Sequence, residues 1–455
     1  MTWRALVSGL TLVAAGAPLP LLAAIGLPAL ARRPLSERVT GVLARLSFSI
    51  SFAAFAAAAL LVMLSGSGSI HVVVGEWFTV PPYHFRVGLV VDGLSLPFAL
   101  LAVMLCGVVA AFAHRYLHRE PGYGRFFVLL AVFTLGILTI ALAGSVEVAF
   151  AGWELLGLSS ALLIAFFQDR TAAVANGLYA FVVYRVCDMG LLVAAVLLHH
   201  WCGTGELVDL FGSGWPGGSS PLTGVRADAV ATLLVVAAMG KCAQVPFSGW
   251  LPRAMEGPTP SSAIFYGALS VHAGAYLLLR FEPLIRESTP ARVLLVVVGL
   301  ASALQATLVG RAQTDIKAAL AYASLTQVSL ILVEIGLGFP RLALLHIVGH
   351  ACLRSLQFLR APSLLHDFHG TENAAGGHAA RAAGRLERVL PPRVWRWLYR
   401  FAIERAYLDA MLERLVVAPL SSVLRSFDRL ERRWLDLLEG RKRVRSAAGR
   451  EEEGD

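Results

Sequence analysis

Apolar runs of about twenty residues recur along this chain, and no other feature constrains its fold as strongly. Crossing a ~30 Å hydrocarbon layer takes about 20 apolar residues as a helix. Within that layer each backbone amide must find its partner inside its own helix. About eleven such runs are predicted, near residues 3–30, 40–64, 91–113, 125–143, 147–167, 173–200, 227–243, 260–281, 291–309, 317–336 and 340–360. The expected fold class is therefore all-α and polytopic. Charge agrees: 15% of the 455 residues are charged, where soluble domains carry about 25%. The first run is read as a span rather than a removed signal, because no convincing small-residue cleavage site accompanies it.

The net charge of +9 fits topology better than nucleic acid, since no basic, aromatic-interleaved element appears. Arg32, Arg33, Arg38 and Arg45 lie around the first interspan loop. Arg115, Arg119 and Arg125 follow the third span, and Arg311 and Lys317 the ninth. The alternate loops are poorer in net positive charge. The positive-inside rule then places the N-terminus outside and the C-terminus in the cytoplasm. Between Ser65 and Val90 the pattern is too mixed to span. "HVVVGEWF" and "YHFRVGLVV" alternate about two prolines, which predicts a small extramembrane hairpin.

The expected organisation is 1–90, N-terminal spans and an outer loop; 91–290, a first helical unit; 291–361, a second; 362–392, a polar linker; 393–440, a cytoplasmic amphipathic helix; and 441–455, a disordered tail. Residues 393–440 have apolar positions at helical spacing but too many Arg, Asp and Glu to cross a bilayer. They suit a helix lying on a membrane or against a partner. The five cysteines, Cys106, Cys187, Cys202, Cys242 and Cys352, are scattered and form no CxxC pair, as small apolar fillers would be.

Ionisable groups inside spans are costly, so each is a functional candidate. Glu154 lies in the fifth span. Arg185 and Asp188 sit three apart on one face of the sixth and can pair locally. Lys241 stands where "GKCAQVPFSGWLPRAMEGPTPSS" breaks the seventh span with prolines, and the freed carbonyls are expected to hold water beside the ammonium. His272 lies in the eighth. His346, His350 and Arg354 recur at i, i+4, i+8 in "HIVGHACLRSLQFL" and so share one face. Glu334 is expected at the interface. Burial penalises charge on acid and base alike, which brings these groups toward a shared working range for handing on protons. Simpler readings stand beside this one. Arg185–Asp188 can be a neutralising pair, and His272 can be a helix-to-helix hydrogen bond. His346 and His350 at i, i+4 could ligate a metal, but no HExxH and no carboxylate on that helix supports it, so no metal is expected in this chain.

"WELLGLSSALLIAFF", "RVCDMGLL", "GKCAQVPFSGWLPRAMEGPTPSSA", "QTDIKAALAYASLTQVS" and "LLHIVGHACLRSLQFL" resemble the antiporter-like subunits of respiratory complex I (the L type) and of Mrp sodium/proton antiporters. The resemblance covers about residues 90–360. It implies that Glu154 matches the family's essential glutamate and Lys241 the lysine of its broken seventh helix. Arg185 and Asp188 match an Arg–Asp motif, and His346 and His350 a histidine pair of the eleventh helix. A proton pathway through Glu154, Lys241, His272, His346 and His350, with Arg185, Asp188 and Arg354 as supporting charges, is what the resemblance implies. It also implies two inverted repeats, 91–290 and 291–361, the second truncated where the apolar pattern stops near Pro362. Arg354 stands where relatives usually carry lysine; arginine does not readily release a proton. Tyr266 stands where relatives have histidine.

A shortened chain of this kind is similar to the membrane subunits of DAB inorganic-carbon accumulation complexes, the DabB family. That similarity implies a cation-translocating subunit, most simply for protons, that energises CO2 hydration to bicarbonate. Its partner would be a DabA-like cytoplasmic subunit related to β-carbonic anhydrases, and the zinc would belong to that partner. The alternatives are a subunit of complex I, a membrane hydrogenase or an Mrp antiporter, or a non-conducting membrane anchor. Buried Glu154 and Lys241 argue against the anchor, which has no need of them.

Overall fold

The structure, a computed structural model, describes residues 3–66, 68–80, 83–212, 214–375 and 391–438. Among them ten helices are long and apolar enough to cross a membrane. The first, Trp3–Leu30, is really two: α1 (Trp3–Gly16) and α2 (Pro18–Leu30). Pro18 has no N–H for the Ala14 carbonyl. The next span, α3 (Glu37–Ser65), repairs the break: Ser51 donates to the Ala14 carbonyl at 2.6 Å and Ser47 to the Ala17 carbonyl at 2.8 Å.

The hairpin predicted before Val90 is present as β1 (Ser69–Val80) and β2 (Tyr83–Asp92), antiparallel with Ser69 opposite Asp92. An isolated bridge Leu89–Ala143 ties the hairpin to the loop before Val146, and a second, Ser145–Glu206, ties that loop to the one after Cys202. Then come α4 (Ser95–Tyr116), α5 (Tyr123–Leu142), α6 (Val146–Ile164) and α7 (Thr171–Cys202). The α5–α6 contact is backbone-close: a Cβ on Gly136 would lie 2.8 Å from the Leu156 nitrogen, and one on Gly152 would lie 2.8 Å from the Gly136 carbonyl. Small residues allow that approach where helices pack in lipid.

After the short α8 (Leu207–Phe211), α9 (Gly224–Lys241) stops at the lysine. The chain continues through a tight turn at Phe247–Gly249 and α10 (Trp250–Arg253). It re-enters as α11 (Thr259–Arg280), whose first half, Ser262–Leu269, is wound as a π-helix. All of the apolar window of α11 is buried, so it is the axis of the bundle. The count is one short of the eleven expected: α9, expected as the seventh span, carries Arg226, Asp228 and Lys241 and is not among the ten. The remaining elements are α12 (Glu282–Glu287), α13 (Thr289–Gly310), α14 (Ile316–Leu337) and α15 (Pro340–Ala375).

Two sequence expectations need correction here. The linker expected over 362–392 is helical as far as Ala375, so neither Pro362 nor Gly370 ends the helix. Residues 376–390 of it, and the tail 441–455, lie outside the described residues. The amphipathic helix expected over 393–440 is two: α16 (Pro392–Ile403) and α17, continuous from Leu408 to Leu438. Between them Arg405, Ala406 and Tyr407 all adopt φ of 51–60°. That left-handed backbone cannot continue a right-handed helix.

Six contacts show that the basic loops and this arm share one face. Glu37, at the start of α3, accepts from the Arg119 N–H at 2.9 Å and pairs with His118 at 2.6 Å. Tyr116 meets Thr259 at 3.2 Å, and Lys317 caps the carbonyls of Met255 (2.6 Å) and Gly257 (2.9 Å). Arg253 then pairs with Glu413 of α17 at 3.6 Å. The hairpin lies on the other face, with the buried Asp92–Arg280 pair (2.6 Å) at its base.

Candidate functional site

α6, α7 and α9 converge on Lys241. Its side chain is fully buried, and its ammonium donates to the Trp153 carbonyl at 3.3 Å. It lies 4.3 Å from the centre of the Tyr184 ring and 5.2 Å from that of Trp153. Ring faces of this kind stabilise a cation without taking its proton. One carboxylate reaches it: an Asp188 oxygen at 3.9 Å. Gly157 makes the room, since a Cβ there would sit 2.6 Å from the lysine nitrogen and 3.1 Å from the Arg185 guanidinium.

Asp188 is the hub. Its second oxygen is held by Arg185 at 2.7 Å, and the Trp153 indole N–H donates to its first. Arg185 also grips Glu154. Glu154 and Arg185 are roughly a quarter exposed, at the edge of the bundle, whereas Asp188 and Lys241 lie inside. Glu154 and Lys241 therefore do not touch, and the link between them runs Glu154–Arg185–Asp188–Lys241. Two helices separate them in sequence, but the α7 residues at i and i+3 stand between.

The expected water-holding carbonyls beside Lys241 are also corrected in part. The Trp250 indole N–H takes the Gly240 carbonyl at 2.9 Å, and the Gln244 amide takes the Cys242 carbonyl at 2.8 Å. Protein donors satisfy the break, as burial demands.

A second cluster lies on α11, α14 and α15. His272 and His350, 78 residues apart, meet with Nδ1 of His350 3.0 Å from Nε2 of His272. His272 Nδ1 faces the Ala268 carbonyl. A carbonyl only accepts, so Nδ1 carries the proton. A neutral His272 then accepts at Nε2, and His350 donates from Nδ1. His346 continues the face; its Nδ1 lies 2.9 Å from Glu334 and its Nε2 3.1 Å from Gln327. Glu334, expected at the interface, is thus the histidine's partner. Between the clusters the hydroxyls of Ser160 and Ser270 are 3.4 Å apart, and Tyr266 donates to the Ser160 carbonyl at 3.1 Å. Of the five expected pathway residues, Lys241 and His272 are fully buried and His350 nearly so, while Glu154 and His346 are partly exposed, and no direct bond joins Lys241 to His272. Arg354 lies on the same α15 face, one turn beyond His350.

Sequence reading missed Trp153, Tyr184, Gly157 and Lys317 as parts of the site. Trp153 and Gly157 flank Glu154 at −1 and +3, a spacing that was legible as one helical neighbourhood. Lys317 opens α14, where a lysine reads as an ordinary interfacial charge.

A bundle of ten candidate spans, with a broken helix carrying a buried lysine beside an Arg–Asp pair, is the architecture of an antiporter-like membrane subunit. The comparisons agree. Residues 143–384 match the family described as NADH:quinone oxidoreductase/Mrp antiporter, TM, and residues 77–127 match NADH-Ubiquinone oxidoreductase (complex I), chain 5 N-terminus. The chain belongs to this antiporter-like family. It is 32% identical over 316 residues to NADH-ubiquinone oxidoreductase chain 5 of Halichoerus grypus, covering 70% of this chain and 49% of that protein. It is 33% identical over 330 residues to NADH-quinone oxidoreductase subunit L of Neisseria meningitidis, covering 69% of this chain and 47% of that one. A solved chain of the Mrp complex from Dietzia sp. DQ12-45-1b superposes with a TM-score of 0.63 at 27% identity, over 86% of this chain and 40% of that chain. The chain thus spans about half the length of the curated relatives it matches.

Proposed function

We propose that this chain is a proton-translocating membrane subunit of a larger complex of the complex I or Mrp kind. Protons would pass by Glu154, Lys241, His272, His346 and His350, with Arg185, Asp188 and Arg354 as supporting charges. One observation carries the reading: a buried ammonium whose single carboxylate is shared with an arginine that also holds a second acid. With Arg185 on Asp188, only part of that carboxylate's charge serves Lys241. If Glu154 draws Arg185 away, Asp188 is left to the ammonium and favours its charged form; when Arg185 returns, the lysine holds its proton less tightly. The proton then has the Ser160–Ser270 hydroxyls and the His272–His350 pair ahead of it. Lysine suits this role because its proton affinity responds to burial, and arginine's does not.

The test is proton flux in membrane vesicles containing the intact complex. Lys241→Arg keeps charge and volume class and should lose most of the flux. Flux near the native level would make Lys241 a fixed countercharge and defeat the proposal.

A finer reading is inorganic-carbon uptake: the chain would energise a DabA-like, zinc-containing cytoplasmic partner of the carbonic-anhydrase kind. What favours it is the arm α16–α17, which lies on the basic-loop face and leaves Trp397, Leu415, Phe427 and Trp434 exposed, a surface suited to a soluble protein. In this reading the location is the bacterial inner membrane, with the N-terminus outside and the arm in the cytoplasm. Purification in mild detergent decides between the readings. A zinc-bearing chain co-purifying in fixed ratio supports carbon uptake; redox or Mrp-type subunits exclude it.

A further inference from the structure

Arg354 is 7% exposed, and no ion pair or hydrogen bond joins its guanidinium to any described residue. Other arginines of the bundle interior are anchored: Arg185 by Glu154 and Asp188, and Arg280 by Asp92. A guanidinium stays charged in a protein. An unpaired charge in a low-dielectric interior costs several kcal/mol. The cation therefore calls for an anion.

The fold brings the arginine to a defined place. α15 runs antiparallel to α11, as two contacts show: His350 meets His272, and Phe358 packs where a Cβ on Gly267 would be 2.8 Å from its ring. Arg354 lies between these levels, its Cγ 3.3 Å from that same Cβ position. Only glycine at 267 lets the arginine stem and the phenyl ring lie against the π-helical stretch. Within a turn of Arg354 on α15, three further buried side-chain atoms have no protein partner: His350 Nε2, the Ser355 hydroxyl and Gln357 Oε1; His350 is 6% exposed and Ser355 3%. Glu334, the acid of the histidine cluster, pairs with His346 through one oxygen, its other oxygen is buried without a partner, and neither oxygen bonds Arg354.

We propose that Arg354 binds a small monovalent anion, of the size and charge of chloride or bicarbonate, one turn from the His272–His350 pair. The guanidinium supplies charge and N–H donors, and Ser355 supplies a hydroxyl. Such an anion would offset the positive potential at His350 and ease the presence of a proton on the histidine pair. The site is independent of the ion-translocation reading, because anion binding is measurable whether or not the chain conducts.

The experiment uses the purified full chain in detergent, with sodium chloride, bicarbonate, nitrate or gluconate at matched ionic strength. Thermal unfolding should rise saturably with chloride, bicarbonate or nitrate and not with gluconate. The response should be lost in Arg354→Gln and kept in Arg354→Lys. Chloride-35 line broadening by the native protein, reversed by added bicarbonate, separates the two natural sources and does not depend on a variant folding. Equal responses of native and Arg354→Gln, or no saturable shift and no broadening in the native chain, would overturn the proposal. The second of these outcomes would point to a partner subunit's carboxylate as the counter-ion.

Discussion

The ammonium of Lys241 stands 3.9 Å from one oxygen of Asp188, while Arg185 holds the other oxygen at 2.7 Å. One buried carboxylate thus serves two cations on different helices. Neutralising it should affect both. Asp188→Asn leaves Lys241 buried without its countercharge, and breaking such a pair costs about 3–5 kcal/mol. We expect lower thermal stability and at least about a tenfold loss of proton flux. Glu154→Gln, at the edge of the bundle, should lose flux with assembly intact. If Asp188→Asn conducts normally, Asp188 is not the link between the lysine and the arginine.

Gly157 is a steric test of the same site. In Gly157→Ala the new methyl would lie 2.6 Å from the lysine nitrogen. Either the ammonium moves away from Asp188 or α6 shifts. Overpacking of this kind costs about 1–3 kcal/mol. Flux should fall more than subunit content does, measured in the same vesicles. Unchanged flux would mean the ammonium has room that the structure does not show.

The arm is held to the membrane domain at Arg253–Glu413, near the turn that follows Lys241. Glu413→Arg should loosen it, seen as faster proteolysis within 391–438, and the double variant Arg253→Glu with Glu413→Arg should restore protection in part. Exposed ion pairs contribute at most about 1 kcal/mol, so the effect is expected in local opening rather than in global unfolding. Equal proteolysis of native and Glu413→Arg would show that apolar contacts, such as those of the buried Leu412 and Val417, hold the arm alone.

On the hairpin face, outside the spans, Glu206 is half-buried, and its carboxyl is raised above the ordinary value by burial, with repulsion from Glu147 and Asp209 adding to it. A raised carboxyl binds its proton better folded than unfolded. Its charged form therefore weakens the fold above the folded value, and that penalty disappears as pH falls toward the ordinary value of 4.5. Glu206→Gln should raise the unfolding temperature at neutral pH, with the advantage shrinking as the solution is acidified. An advantage constant across pH would assign it to packing.

At the opposite face Glu37 is partly exposed and accepts from both His118 and the Arg119 N–H. Glu37→Ala removes both bonds between the start of α3 and the loop after α4, and such partly exposed contacts contribute little to global stability. Faster proteolysis in the 117–122 loop, with little change in thermal unfolding, is the expected outcome; unchanged proteolysis would show that the loop is held by other contacts.

The sequence by itself determined where the crossings lie, because hydropathy over twenty residues is a local property that the bilayer reads directly. It placed the hairpin by alternation and the break after Lys241 by its prolines. It also singled out the buried charges, since a membrane interior makes any charge conspicuous. Tertiary structure decided which of them meet. The Lys241–Trp153 bond spans 88 residues and the His350–His272 contact 78, and no periodicity encodes such a pairing. The choice of Asp188 rather than Glu154 as the lysine's carboxylate depends on which faces of α6, α7 and α9 pack together. That is fixed by close helix approach at Gly157 and at residues like it. The same holds for Lys317: a lysine near a helix start reads as surface, and only the folded chain brings it to the carbonyls of Met255 and Gly257.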